Sequence, residues 1–215
     1  MSVVIDASGI ENIEFIFDRF PEAASKAMSI AINTTVNDFV MPQARRDIVA
    51  EVAFPEGYLD QTDRFFVRQY STPQQLMAVV EARSRPTSLA RFVDAPAIPA
   101  AGARGPKGRV TVNVTVKPGV TTPTKGFFVG LNNDNIGFAV RLRPGEMPLN
   151  FGQREFNPIE IFRNEDPSKG RVFLLYGPSV DQVFRQVADD LVPQTIVKLE
   201  AEFTRVLAVT LGVNK

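Results

Sequence analysis

The chain has 215 residues, of which 44% are hydrophobic and 22% are charged, and its 24 Lys and Arg residues balance its 24 Asp and Glu residues. This globular composition and length fit one sizeable domain, which we expect to span residues 1–215. Because the chain contains no Cys and no His, the usual zinc, copper and haem sites and the Ser-His and Cys-His nucleophiles are excluded. Carboxylate sites for hard metals, carboxylate acid/base pairs and lysine chemistry remain open. No acidic pair falls at a credible strand end or loop cluster, so we expect no enzyme, no cofactor and no catalytic or metal site.

Residues 1–53 are predicted to form N-terminal helices. Apolar residues recur at helical spacing from Ile10, and Pro21 opens a second, longer helical segment. Pro42 falls inside that segment, where a proline kinks or interrupts a helix. The opening residues lack the basic start and continuous apolar stretch of a secretory signal, and no run reaches the length of a membrane span. We therefore expect a soluble protein of the cytoplasm.

Residues 58–176 are predicted to form a central antiparallel β-sheet. DRFFVRQYS and QLMAVVEARS indicate one hairpin, GRVTVNVTVKPG alternates apolar and polar residues as a strand does, and KGFFVGL and IGFAVRLRPG indicate a second hairpin. No helical pattern separates these strands, which favours antiparallel pairing. Extended loops are predicted at 94–108 and 144–171. The second loop keeps five large apolar residues, as buried anchors or as groups that order against a neighbour: Phe151, Phe156, Ile159, Ile161 and Phe162.

Residues 179–212 are predicted to form a long C-terminal helix. One apolar stripe begins with Val180, Val183 and Phe184 and resumes at Leu199 and Phe203. The helix can bury this stripe against a sheet, or project one end towards another subunit. Together these elements predict an α+β fold with N-terminal helices, a central antiparallel sheet with long loops, and a long C-terminal helix.

The sequence FLLYGPSVDQVF joins the last predicted strand to this helix. We predict that Tyr176 ends the strand, that Gly177 supplies free backbone angles, that Pro178 fixes the turn and that Ser179 caps the helix. The main interpretation is a structural corner. The alternative is anion binding by amides at the start of the helix, but the glycine-rich loop and lysine of a phosphate site are absent.

The charges are divided along the chain. Residues 1–60 contain four Lys and Arg against ten Asp and Glu, whereas residues 83–145 contain ten against two. Such a division of charge has three interpretations. The basic segment steers a polyanion, or identical subunits meet with the acidic surface of one against the basic surface of the next. The third interpretation is a basic loop region that is simply exposed to solvent. The basic set consists of Arg83, Arg85, Arg91, Arg104, Lys107, Arg109, Arg141 and Arg143. The carboxylate pairs Asp189–Asp190 and Glu200–Glu202 are predicted to lie on the solvated side of the last helix.

The chain contains, in this order, the segments AINTTVNDFVMPQARRDIVAEV, SRPTSLARF, GFFVGLNNDNIGFAVRLRPG and LYGPSVDQVF. Together these four segments resemble the minor tail protein Z family of tailed phages, also described as tail completion proteins. LYGPSVDQVF is the most specific of them. SRPTSLARF is similar to a family segment with Arg-Pro followed by Leu and Arg/Lys-Phe, and GFFVGLNNDNIGFAVRLRPG is similar to the family's hairpin. AINTTVNDFVMPQARRDIVAEV resembles its early helix.

The resemblance implies a structural virion protein, a minor tail, tail completion or neck subunit assembled in the host cytoplasm. It further implies a homo-oligomeric ring at the tail or the head–tail junction, with other tail or neck proteins as partners, possible non-specific contact with DNA in a channel, and no membrane. We expect Arg141 and Arg143, with Phe151, Phe156 and Phe162, to lie at the subunit interface, since closed rings need heterologous contacts. The alternative is a nucleic-acid-binding module that uses the basic region 83–145.

Overall fold

The computed structural model describes residues 2–6, 13–94, 110–131, 135–146, 158–163 and 170–212. The chain divides into two units, each made of separate segments. Unit 1 consists of Met1–Ile48, Leu59–Ser84 and Asp181–Lys215, and unit 2 consists of Val49–Tyr58 and Arg85–Val180. Helices and antiparallel strands together confirm the predicted α+β class. The assignment of residues 1–215 to a single domain stays a prediction.

The N-terminal helices begin with α1 (Ile13–Arg19) and α2 (Pro21–Thr35). A π turn (Val36–Val40) then leads into α3 (Met41–Glu51). In the π turn the Met41 N–H donates to the Val36 carbonyl, five residues back. Pro42 has no N–H to donate and its ring crowds the preceding turn, so the interruption predicted at Pro42 takes the form of this wider turn.

Unit 1 contains a three-stranded antiparallel sheet that includes a strand the sequence prediction missed. The strands are β1 (Ser2–Asp6), β2 (Phe65–Gln69) and β3 (Met77–Ala82), in the order β1-β3-β2. The β2–β3 hairpin confirms the prediction. The expectation that residues 1–53 are helical is wrong at Ser2–Asp6, where Val4 pairs with Val79 of the distant strand β3. β-Branched residues favour this extended conformation.

The core of unit 1 lies between its sheet and its helices. The side chains of Met28 and Ile32 on α2 and of Val80 on β3 are fully buried, and the ring of Phe65 meets that of Phe184 edge-on at 4.9 Å between centroids. Phe184 belongs to α4 (Val180–Thr210), which confirms the long C-terminal helix and contains Pro193. The predicted stripe of α4 is buried at Val183, Phe184, Val187, Leu191, Leu199, Phe203 and Val206.

The turn between β2 and β3 is held to α2 by a polar contact. The Ser71 carbonyl accepts hydrogen bonds from Ser29 Oγ and Asn33 Nδ2, both at 3.0 Å, and the Ser71 N–H donates to Asn33 Oδ1 at 2.8 Å. Asn33 therefore satisfies both backbone groups of Ser71 at once. This contact fixes the hairpin against the helix over a separation of 38 residues.

Unit 2 contains a six-stranded sheet. Its strands are β4 (Thr87–Ser88), β5 (Val110–Lys117), β6 (Val120–Gly130), β7 (Ile136–Leu142), β8 (Ile159–Arg163) and β9 (Arg171–Gly177). The order is β4-β9-β7-β6-β5, β8 pairs with β9, and every pairing is antiparallel. The predicted strand at 110–117 and the predicted β6–β7 hairpin are confirmed.

Two details of the predicted β region are corrected. The strands form two sheets rather than one central sheet. The predicted loop 144–171 contains β8, because Ile159–Arg163 pairs along β9, and Arg171 already belongs to β9. Residues 95–108 of the other predicted loop lie outside the described residues.

A 3₁₀ turn (Leu89–Phe92) covers part of the sheet of unit 2. Leu89 and Phe92 are buried. The Phe92 ring lies 5.7 Å from that of Phe54, which stacks on Tyr58 at 5.2 Å. This aromatic cluster lies beside β9 and brings Phe92 against the last residue of that strand.

Candidate assembly surfaces

The strand-to-helix junction is a buried corner. β9 ends at Gly177, one residue later than predicted, and α4 begins at Val180, so Ser179 occupies the position of the helix cap. Gly177, Pro178 and Ser179 are all buried. Tyr176 is half-buried beside Ala139, Val172 and Leu174, and burial raises the pKa of its hydroxyl.

Gly177 is required for space, which corrects the predicted reason. Its φ does not lie in the left-handed region, unlike that of Gly119 in the β5–β6 turn, where φ is 75°. A Cβ atom on Gly177 would lie 2.6 Å from Cε2 of the Phe92 ring. Real Cβ atoms do not approach other heavy atoms so closely, so any larger residue at 177 would displace the Phe92 ring.

The start of α4 does not favour the anion-binding alternative. The Asp181 N–H, in the first turn, donates to the Arg83 carbonyl at 3.1 Å. The Asp181 carboxylate is buried, accepts a hydrogen bond from Arg185 Nη2 at 2.6 Å, and adds negative charge where an anion would bind. The interpretation as a structural corner is therefore the better one.

The structure places the predicted basic residues in several different settings. Arg83 of unit 1 forms an ion pair with Asp63 at 3.0 Å. In unit 2, Arg85 is exposed, whereas Arg91 lies over the Tyr58 ring, 5.4 Å from its centroid. Arg104, Lys107 and Arg109 lie outside the described residues. The eight residues therefore do not form one described constellation.

Arg141 and Arg143 do come together, at one end of the unit 2 sheet. Both side chains are exposed. Arg141 lies opposite Val172 and Leu142 opposite Arg171 in the β7–β9 register. Arg171 therefore lies at the same end of the sheet, on the other face from Arg141. Glu160 Oε2 accepts a hydrogen bond from Arg171 Nη1 at 3.3 Å. We call Arg141, Arg143 and Arg171 the basic end.

The predicted aromatic part of the interface is only partly described. Phe151 and Phe156 lie outside the described residues, and Phe162 lies on β8 opposite Val172. Ile159 and Ile161 on β8 are 47% and 43% exposed, so two of the predicted apolar anchors are on the surface. The last residue of β8, Arg163, pairs in the strand register with Arg171 of the basic end.

An apolar groove in unit 1 was missed by the sequence prediction. It has a volume of about 130 Å³ and lies beside β1, the π turn and α4. Its lining includes Val4, Val40, Ala188, Leu191, Val192 and Ile196. Val4 and Val192 are 51% and 48% exposed. The groove arises from β1, which local sequence patterns did not reveal.

The edges of the two sheets differ in their protection. The outer edge of β5 is covered, since the Ala53 N–H donates to the Val116 carbonyl at 2.8 Å and Val93 bridges to Val114. β2 carries a bulge and the Arg68–Glu81 ion pair, both of which discourage further pairing. Among the strands that the structure describes, β1 pairs with β3 alone. The central residues of β1, Val3–Ile5, include no charged residue and no proline. The outer edge of β1 is therefore less protected than the edge formed by β2.

The predicted solvated position is confirmed for three of the four carboxylates of α4, whereas the side chain of Glu202 is only 18% exposed. Asp189, Asp190 and Glu200 are exposed. A hydrogen bond from Arg205 to Glu202, 2.6 Å from Nη2 to Oε1, lowers the pKa of that carboxyl. Within the described ranges no three acidic residues cluster as a metal site would require.

In the described part of the chain, none of the helices combines the length and the apolar character needed to cross a bilayer. Comparison of the chain with protein-family models, with curated proteins and with solved structures finds no match.

Proposed function

We propose that the protein is a structural subunit of a tailed-phage virion, a minor tail, tail completion or neck protein that closes into a homo-oligomeric ring. It works by shape and self-complementarity. The four segments that resemble the minor tail protein Z family support the place of action. The surfaces of the two units support the mode of action.

The observation that carries the proposal is the opposite charge of the two units. Unit 1 contains 11 Lys and Arg against 15 Asp and Glu, a net charge of −4, and unit 2 contains 13 against 9, a net charge of +4. Acidic unit 1 of one copy and basic unit 2 of the next copy are complementary. Such a contact is heterologous, and heterologous contacts generate rings when the rotation closes.

The test is a double charge reversal, Arg141→Glu with Arg143→Glu, measured by size-exclusion chromatography with light scattering. The matched control is Lys117→Glu with Lys125→Glu, which makes the same charge change on exposed residues of the β5–β6 hairpin. We expect the arginine variant to be a folded monomer and the control to assemble as the unchanged protein does. An arginine variant that assembles normally contradicts the role of Arg141 and Arg143.

A second candidate function is nucleic-acid binding by the basic region 83–145. The exposed Arg141 and Arg143, next to Arg171, favour it. Phosphate neutralisation releases counterions, so such binding weakens steeply with salt. Fluorescence anisotropy with duplex and single-stranded DNA at low and moderate salt tests it, and no binding at low salt eliminates it.

A further inference from the structure

The basic end contains a close contact between two stretches of backbone. Gly170, the residue before β9, is buried and has a φ of 73°, in the left-handed region that favours glycine. A Cβ atom on Gly170 would overlap the carbonyl oxygen of Leu142, and it would lie 3.0 Å from the carbonyl carbon of Leu142 and 3.5 Å from Cα of Arg143. The chain at Gly170 therefore passes directly against the end of β7.

The atoms in this contact cannot yield as a side chain can. At Gly137 and Gly177 the three atoms nearest to an added Cβ belong to side chains, which can rotate. At Gly170 all three belong to the backbone of Leu142 and Arg143. Leu142 is the last residue of β7 and pairs with β9. A larger residue at 170 therefore pushes apart the start of β9 and the end of β7, which carries Arg143.

A turn holds Arg143 from its other side. The Arg143 N–H donates to Oε2 of Glu146 at 2.7 Å, and the Glu146 N–H donates to the Arg143 carbonyl at 3.1 Å. Pro144 and Gly145 occupy the two central positions, as in a type II turn, and Gly145 has a φ of 85°. The backbone of Arg143 is therefore fixed by these hydrogen bonds and by the contact with Gly170, although Arg143 lies beyond the last residue of the strand.

We propose that Gly170 and Glu146 are positioning residues of the subunit contact: they hold the backbone of Arg143 where its guanidinium meets a carboxylate on unit 1 of the neighbouring copy. The inference rests on the proposed role of Arg143 in the ring and adds the residues through which the fold fixes it. Charged hydrogen bonds require donor–acceptor distances of about 2.7–2.9 Å, so a displaced backbone weakens the contact although every charge is retained. A backbone that is fixed in advance also lowers the entropy cost of association.

Gly170→Ala tests the close contact, with circular dichroism to confirm the fold and analytical ultracentrifugation to give the concentration needed for half-assembly. We expect that concentration to rise at least about tenfold. Gly119→Ala is the control for a left-handed φ, because Gly119 has a φ of 75° and nothing lies within 4 Å of a Cβ there. Gly177→Ala is the control for overpacking, because its Cβ would meet the Phe92 ring instead of the basic end. Both controls should assemble as the unchanged protein does, and a Gly170→Ala variant that also does so overturns the inference.

A double-mutant cycle shows whether Gly170 acts through Arg143. Arg143→Ala alone should raise the concentration needed for half-assembly, and adding Gly170→Ala should raise it by less than about twofold more, because the group to be positioned is already gone. A further rise of about tenfold overturns the inference and leaves the role of Arg143 in the ring standing. Assembly that Arg143→Ala does not change, or a natural chain that stays monomeric, overturns both.

Glu146 provides a second test, which decides the question even where Gly170→Ala fails to fold. Glu146→Gln and Glu146→Ala remove the same charge, but only glutamine keeps an oxygen that can accept the hydrogen bond from the Arg143 N–H. The alanine variant should need a concentration about fivefold higher than the glutamine variant for half-assembly, which is the usual size of the effect of one hydrogen bond. Equal behaviour of the two variants overturns the inference.

Discussion

Gly177 and Phe92 touch so closely that the glycine hydrogen is the largest group the site admits, since a Cβ atom at position 177 would lie 2.6 Å from the ring. Gly177→Ala should therefore destabilise the protein by about 1–3 kcal/mol through overpacking. Urea unfolding followed by circular dichroism measures this. Gly130→Ala is the control, because nothing lies within 4 Å of a Cβ there.

A double substitution distinguishes a clash between the new alanine side chain at position 177 and the Phe92 ring from an effect of alanine on the backbone at that position. Adding Phe92→Leu to Gly177→Ala replaces the phenylalanine ring by a smaller side chain and should recover part of the lost unfolding free energy. The effects of the two substitutions are then less than additive. Strict additivity would show that the alanine acts on the backbone rather than on the ring.

The polar clamp of the β2–β3 turn gives a second prediction. Asn33→Ala removes both of its hydrogen bonds to Ser71. The Ser71 carbonyl keeps the bond from Ser29 Oγ, but the Ser71 N–H loses its partner, so we expect a loss of about 1–3 kcal/mol of unfolding free energy. Asn37→Ala, one helical turn later, removes an exposed bond from the Tyr70 hydroxyl and should cost less than about 0.5 kcal/mol. Chemical denaturation compares the two, and equal losses would refute the clamp.

The Glu202–Arg205 pair gives a prediction on pH. The Arg205 hydrogen bond lowers the pKa of Glu202 below the ordinary value of 4.5. A lowered pKa in the folded state contributes stability that is present above the unfolded pKa and disappears as pH falls through the folded one. Arg205→Ala should therefore move the Glu202 titration, followed by carboxyl NMR, upwards towards 4.5. An unmoved titration would place the cause elsewhere.

Salt gives a prediction about assembly. The acidic and basic surfaces are exposed, and the Debye length falls from about 10 Å at 0.1 M salt to about 3 Å at 1 M. The concentration needed for half-assembly should therefore rise as sodium chloride is added, as analytical ultracentrifugation can measure. Assembly that strengthens with salt would indicate an interface dominated by apolar burial.

The regular spacing of apolar residues along the sequence predicted most of the helices and strands. The stripe of α4 and the alternation of Val110, Val112 and Val114 are strong signals, because side-chain spacing alone decides which face is buried. β1 was missed because SVVID is five residues long and forms its strand only through pairing with distant β3. β8 was missed for the same reason, since its partner β9 and not its own pattern makes it a strand.

The candidate site was predicted less completely. Arg141 and Arg143 were identified by charge, and the β7–β9 register places Arg171 at the same end of the sheet, on the other face from Arg141. The groove could not be read from sequence, because Val4, Val40 and Val192 come from three elements far apart in the chain. The role of Gly177 was misassigned for a related reason, as only the tertiary position of Phe92 shows that space is what the site requires.

Native mass spectrometry of the purified chain at low ionic strength tests the central claim most directly. Assembly by heterologous contacts that close predicts one discrete stoichiometry above the dimer, with each subunit of 23.7 kDa. A chain that stays monomeric at every concentration, or a series of ever longer open oligomers, would contradict the ring.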